Sequence, residues 1–197
     1  GQIQDEPLIP HDKLQQAGVY QFFLNMIGEY VKLAMRQQAT SYDYNNIANE
    51  QWLTQMKSCW IISQWTGEYN PIHVHTECAM STVMYLKVPE FLPSTKPKRD
   101  DDGNTMFIGA GGTNSRFTRN LLKVKPTVGD FFLFPAHLQH CVYPFKTDGD
   151  CERRSVSFNA DFIAKSEYEA RERAGKAHER SEQQAQPPQT LTIDTEK

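Results

Sequence analysis

Residues 129–145 read GDFFLFPAHLQHCVYPF, and this stretch decides the fold class. A Gly-Asp turn leads into an apolar run that Pro135 closes, and a second short run around His140 follows at once. Short runs rich in aromatic and β-branched residues, separated by turn residues, are typical of strands. Two strands this close together, without a helix between them, favour antiparallel pairing.

The same composition recurs along the central part of the chain. Similar runs are SCWIISQWT (58–66), STVMYLKV (81–88), NTMFIGAGG (104–112), LLKVKPTVGDFFLFP (121–135) and RRSVSFNADF (153–162). Their number, their irregular spacing and the absence of helical patterns between them predict an antiparallel sandwich or barrel.

The two ends of the chain have different patterns. Apolar residues follow a helical period over 17–39, and a second helix is predicted over 45–56. We therefore expect 1–57 to be a helical support packed on a β core at 58–163. The charged, Gln-rich segment 164–197 predicts a polar helix that ends in a disordered tail.

Composition excludes several classes of protein. The chain has 197 residues, which fits one domain, and 21 basic against 24 acidic residues give 21 − 24 = −3. No basic field is present that would favour nucleic acid, and no apolar run approaches the roughly 18 residues of a membrane span. The start GQIQDEPLIP is too polar for a signal peptide, and the four cysteines have no CxxC pairing. These features predict a cytoplasmic protein with reduced thiols.

The histidines give the first indication of chemistry. The stretch YNPIHVHTEC (69–78) carries His73 and His75, and residues two apart on an extended chain point to the same side. His140 ends another predicted strand. Either the first two are surface histidines in a polar loop, or all three imidazoles meet at one transition-metal ion, a role that suits Fe, Zn, Cu or Ni.

Four motifs in order carry a family resemblance: YNPIHVH, VMYLKVP, GDFFLFPAHLQHCVYP and RRSVSFN. Together they resemble the Fe(II)/2-oxoglutarate-dependent dioxygenases, above all the prolyl-hydroxylase-like branch and its small phage and bacterial members. The resemblance covers about residues 58–162. It implies a mainly β fold with N-terminal helices: a double-stranded β-helix, or jelly roll, like that of the cupins.

The resemblance also implies a function and its cofactors. Fe(II) would be bound, and 2-oxoglutarate and O2 would be consumed with release of succinate and CO2. The reaction would hydroxylate an unidentified small molecule or peptide.

Site residues follow from the same motifs. The resemblance implies that His73 and His140 hold iron and that Arg153 binds the distal carboxylate of 2-oxoglutarate. A guanidinium suits this role because it donates paired hydrogen bonds to a carboxylate and stays charged when buried. Three further residues are expected to line the cosubstrate pocket: Ser155, Tyr85 and Trp65.

His75 departs from the family pattern, which places Asp or Glu at this position. We favour His75 itself as the third ligand. Glu77 is an alternative ligand because it lies two residues further on. In a third interpretation His75 lies behind the ligands without touching the metal, and the site is weak or inactive. A shift of one residue would exchange the roles of Arg153 and Arg154.

Two other classes of function stay open at this point. One is a cupin-like three-histidine metal dioxygenase or metal-binding protein that does not use 2-oxoglutarate. The other is a non-catalytic jelly-roll interaction module. The first would leave the Arg153-x-Ser155 pair without a role, and the second would retain only part of a site.

Overall fold

The computed structural model describes residues 2–38, 49–95, 98, 100–109 and 120–184. Within them, the helices are α1 His11–Gln16, α2 Tyr20–Gln38 and α3 Lys165–Gln184. The strands are β1 Trp52–Gln64, β2 Asn70–His73, β3 Met80–Lys87, β4 Thr105–Ile108, β5 Leu121–Val124, β6 Phe131–Pro135, β7 Gln139–Val142 and β8 Arg153–Ala164.

The strands form two four-stranded antiparallel sheets. The major sheet has the order β1-β8-β3-β6, and the minor sheet has the order β2-β7-β4-β5. Their inner faces pack together, since the ring centroids of Phe107 in β4 and Phe134 in β6 lie 5.0 Å apart. This is the predicted jelly roll, and the expected fold class is confirmed.

Helix α2 covers the outer face of the major sheet. Phe23, Ile27 and Val31 recur at intervals of four residues and are buried, so that they form one stripe of the helix. The stripe packs in one apolar cluster with Phe158 and Val156 of β8. The helical period predicted around 17–39 is therefore correct, and its apolar face forms the main hydrophobic core.

Strand β8 has two buried faces of different character. Val156, Phe158 and Ala160 belong to the helix-side core, whereas Arg153 and Ser155 alternate with them and are buried on the inner side. Because successive side chains of a strand point in opposite directions, one strand contributes both to the core and to a polar interior.

The predicted second helix over 45–56 is wrong over 52–56, which form a strand, whereas Asn49 is helical. Strand β1 begins at Trp52 and pairs with β8, with Trp52 opposite Ala164 and Met56 opposite Ala160. Pairing with a distant strand overrides the weak local preference for helix. Residues 45–48 of that prediction lie outside the described residues.

The C-terminal segment is helical over Lys165–Gln184, and the predicted disordered tail at 185–197 lies outside the described residues. No helix in the described part of the chain has the length and apolar character needed to cross a membrane.

Candidate metal centre

Strand pairing brings the histidines together. His73 ends β2, and its cross-strand partner is His140 of β7, so that their ring centroids lie 4.1 Å apart. His75 follows β2 by two residues and donates its backbone N–H to the carbonyl of Ala136 at 2.9 Å. Its ring lies 5.1 Å from that of His140 and almost parallel to it.

The imidazole nitrogens converge on one point. One nitrogen from each of His73, His75 and His140 lies within 4.8 Å of the other two. The Nε2 atoms of His75 and His140 are 3.3 Å apart. Such a cluster is the donor set of a three-point metal face with further positions left open.

Backbone carbonyls fix the orientation of two rings. The Nδ1–H of His73 donates to the carbonyl of Pro71 at 2.7 Å, and the Nδ1–H of His140 donates to the carbonyl of Leu138 at 3.0 Å. Because a carbonyl only accepts, each Nδ1 carries the proton and each Nε2 keeps its lone pair. This arrangement is typical of metal-binding histidines.

Burial keeps two of the rings neutral. It lowers the pKa of His75 to about 4, with a further contribution from the neighbouring His140 and His73. Burial also lowers the pKa of His140 to about 4. The hydrogen bond to the carbonyl of Leu138 raises this pKa, and the neighbouring His73 lowers it further. Neutral imidazoles are the form that binds metal, so the residues fit an Fe(II) ion.

A cavity of about 330 Å³ opens onto the cluster. Its aromatic walls include Phe134, whose ring lies 4.8 Å from that of His140, and Trp60, whose ring lies 6.0 Å from that of His75. Tyr85 and Thr105 also line it and share a hydrogen bond between their hydroxyl groups. The volume and the mixture of apolar walls with few polar groups suit a small ligand.

Arg153 lies behind the cavity and is 4% exposed. It donates to the carbonyl of Gly103 and to Oε1 of Gln64, and its guanidinium carbon lies 5.5 Å from the centre of the Tyr85 ring. Burial lowers the pKa of Arg153, which Tyr85 opposes. Among the described residues no carboxylate pairs with it, although a buried charge needs a partner.

Ser155 and Tyr85 accompany Arg153 around a smaller cavity of about 30 Å³. This cavity shares walls with the larger one through Ile62, Asn70, Val83, Tyr85 and Val142. Tyr85 is 2% exposed, and burial raises its pKa, so its hydroxyl stays protonated. A buried cation beside a protonated hydroxyl fits the distal carboxylate of 2-oxoglutarate.

The alternative metal ligand, the alternative arginine and the histidine that follows β6 are not part of the cluster or of the cavity walls. Glu77 is exposed, has φ of 59° and is not part of the histidine cluster. Arg154 points outward and pairs with Glu152 at 2.8 Å, and His137 is exposed. These positions leave His75 as the third member of the cluster and Arg153 as the inward arginine.

Trp65 does not line either cavity described here, and Trp60 lines the larger one instead. Trp60 and Ile62 of β1 face the cavity, whereas Trp65 follows Gln64, the last residue of this strand. Without the register of β1, no local pattern distinguishes the two tryptophans. Glu6, which also lines the cavity, was missed as well.

Residues 58–159 match the model of a family described as "Putative 2OG-Fe(II) oxygenase", just over half of the 197 residues. The chain belongs to this family. The resemblance noted in the motifs is thereby confirmed. No curated protein sequence matches the chain.

Solved structures with a similar fold include two prolyl hydroxylases. A prolyl-4-hydroxylase from Pseudomonas putida has 19% identity and a TM-score of 0.45 over 78% of this chain and 70% of that one. A viral collagen prolyl hydroxylase from Paramecium Bursaria Chlorella virus-1 has 14% identity and a TM-score of 0.44 over 80% and 79%.

A third similar structure is an oxidoreductase of the 2OG-Fe(II) oxygenase family from Burkholderia pseudomallei. It has 13% identity and a TM-score of 0.42 over 64% of this chain. The chain spans 55% of the length of that protein.

Proposed function

We propose that this oxygenase uses Fe(II), 2-oxoglutarate and O2 to hydroxylate a small molecule or peptide, with release of succinate and CO2. One observation carries the proposal: a three-histidine cluster and a buried arginine without a carboxylate partner among the described residues border two cavities that share walls. Each half of this arrangement is costly to bury without a ligand.

Different residues of the chain would bind the metal, the cosubstrate and the substrate. His73, His75 and His140 would hold Fe(II), which with 2-oxoglutarate and O2 supplies the oxidising chemistry. Arg153, assisted by Tyr85 and Ser155, would bind the distal carboxylate. The walls of the larger cavity would exclude water and orient the substrate.

Succinate formation tests the proposal. Purified protein with Fe(II) and 2-oxoglutarate should release succinate, because the proposed reaction decarboxylates this cosubstrate. Arg153→Ala should lose 2-oxoglutarate binding yet bind metal as the parent does, and Arg154→Ala is the matched control. Binding of 2-oxoglutarate by Arg153→Ala would refute the assignment of the arginine.

A three-histidine metal dioxygenase that does not use 2-oxoglutarate is the second candidate. His75 favours it, since no carboxylate belongs to the cluster in the described residues. It leaves the burial of Arg153 without an explanation. Metal binding by the parent without any affinity for 2-oxoglutarate would decide for this candidate.

A further inference from the structure

The N-terminal segment, residues 2–9, lies along the free edge of β1 as an additional extended strand. Ser63 donates its backbone N–H to the carbonyl of Asp5 at 3.1 Å, and Ile61 donates to that of Pro7 at 3.0 Å. Ile9 in turn donates to the carbonyl of Cys59 at 2.7 Å. These bonds fix the position of the segment beside the major sheet.

The register directs Glu6 toward the metal cavity. Asp5 pairs with Ser63 and Leu8 with Trp60, so that Glu6 lies opposite Ile62. Residues opposite each other on antiparallel strands project to the same side. Ile62 lines the cavity, and Glu6 lines it too.

Glu6 is the one carboxylate among the described residues that line this cavity. Burial raises its pKa, which the attraction of His73 opposes. The side chain of Glu6 faces a cavity that His73 also lines. Asp5, its neighbour, is exposed as Glu6 is, but it has the opposite parity on the segment and does not line the cavity.

The charge of the metal centre gives this carboxylate a role. Three neutral imidazoles bring no charge to a divalent ion, whereas two imidazoles and a carboxylate bring one negative charge. A carboxylate beside the ligands stabilises a bound cation through space even without direct coordination.

We propose that Glu6 supplies, from the N-terminal segment, the negative charge that the third ligand position lacks in this chain. Glu6 acts on the bound metal through space and is not itself a ligand. The inference rests on the metal site of the proposed function, and it assigns a role to a segment outside the matched family region at 58–159.

Co(II) binding to the full chain tests this role, since Co(II) replaces Fe(II) and reports its coordination by visible absorption. Glu6→Gln should weaken Co(II) binding by about tenfold and keep the shape of the absorption bands. Asp5→Asn removes the same charge from the same segment on its opposite face, and it should bind Co(II) as the parent does. Glu6→Asp should recover part of the affinity.

Each other outcome counts against the inference in a different way. Unchanged affinity in Glu6→Gln, or equal losses in Glu6→Gln and Asp5→Asn, would overturn the role of Glu6 and leave the proposed function intact. Altered absorption bands in Glu6→Gln would show a ligand and overturn action through space. A parent that binds no Co(II) would overturn the proposed metal site as well. Circular dichroism and thermal unfolding verify that each variant is folded.

Discussion

Three imidazoles in one cluster differ in how the chain holds them. His73 and His140 are a cross-strand pair with each Nδ1 bonded to a nearby carbonyl, whereas His75 is held through its backbone bond to Ala136. The Nε2 of His75 faces that of His140 at 3.3 Å. An N–H···N hydrogen bond between the two rings accounts for this distance, and so does a cation that both nitrogens bind, so His75 is placed where it can act as the third ligand.

His75→Ala should lose at least about tenfold in Co(II) affinity, because one of three donors is removed. Isothermal titration of Co(II) into metal-free protein measures it. His137→Ala is the matched control, since His137 is exposed, although it lies only three residues before His140. An affinity equal to that of the parent in His75→Ala would show that this residue is not a ligand.

Gln64 is a neutral hydrogen-bond partner of Arg153 at the proposed carboxylate site. Its Oε1 accepts from Arg153, and its Nε2 donates to the carbonyl of Glu68, so both ends of the amide are satisfied. Gln64→Glu would place a carboxylate against Arg153 and compete with 2-oxoglutarate. We expect affinity for 2-oxoglutarate to fall at least about tenfold, as for loss of a charged hydrogen bond, with Co(II) affinity retained.

Titration of 2-oxoglutarate into Co(II)-loaded protein measures this effect. Gln55→Glu is the matched control, because Gln55 lies on the same strand and is exposed. If Gln64→Glu bound 2-oxoglutarate like the parent, Arg153 would not be its anchor.

At the scale of elements, the turn before β4 supports the same arginine. Gly103 has φ of 72°, and its carbonyl accepts from Arg153. A Cβ at this glycine would lie 2.2 Å from Cε2 of Phe91, which itself stacks on Phe145 at a centroid distance of 4.7 Å. The positive φ and the close approach of the Phe91 ring therefore both require glycine at position 103.

Gly103→Ala and Gly149→Ala form a matched pair. Both glycines have positive φ, at 72° and 78°, but a Cβ at Gly149 would meet nothing within 4 Å. Each variant should lose about 1–2 kcal/mol of unfolding free energy from the backbone strain. Gly103→Ala should lose about 1–3 kcal/mol more by overpacking against Phe91, together with affinity for 2-oxoglutarate.

Denaturant unfolding and 2-oxoglutarate titration measure the two effects. Equal stability losses in both variants would mean that Phe91 moves aside without strain. Unchanged 2-oxoglutarate affinity in Gly103→Ala would separate the turn from the proposed anchor.

At the scale of the whole molecule, the sequence predicted local patterns better than long-range pairing. The period around 17–39 and the spacing of His73 and His75 are local, and both describe the structure well. Glu6 joins the cavity only because a terminal segment pairs with β1, and no local pattern encodes that pairing. The choice between Trp60 and Trp65 likewise depended on the register of a strand whose ends were not apparent.

The major sheet separates the hydrophobic core from the metal cavity. Ile27, at 0% exposed, belongs to the cluster between α2 and the outer face of the sheet, whereas the histidines line the opposite side. Stability and metal binding therefore depend on different faces of the same strands.

Ile27→Ala should lower the free energy of unfolding by about 2–5 kcal/mol, since it leaves a cavity in the main core. Leu33→Ala on the same helix, at 59% exposed, should change it by less than about 0.5 kcal/mol. Co(II) affinity of the folded Ile27→Ala protein should equal that of the parent, because no ligand contacts the helix-side core. Denaturant unfolding and Co(II) titration under native conditions measure both quantities. A parallel fall in Co(II) affinity would show that the helix layer and the metal centre are coupled through the sheet.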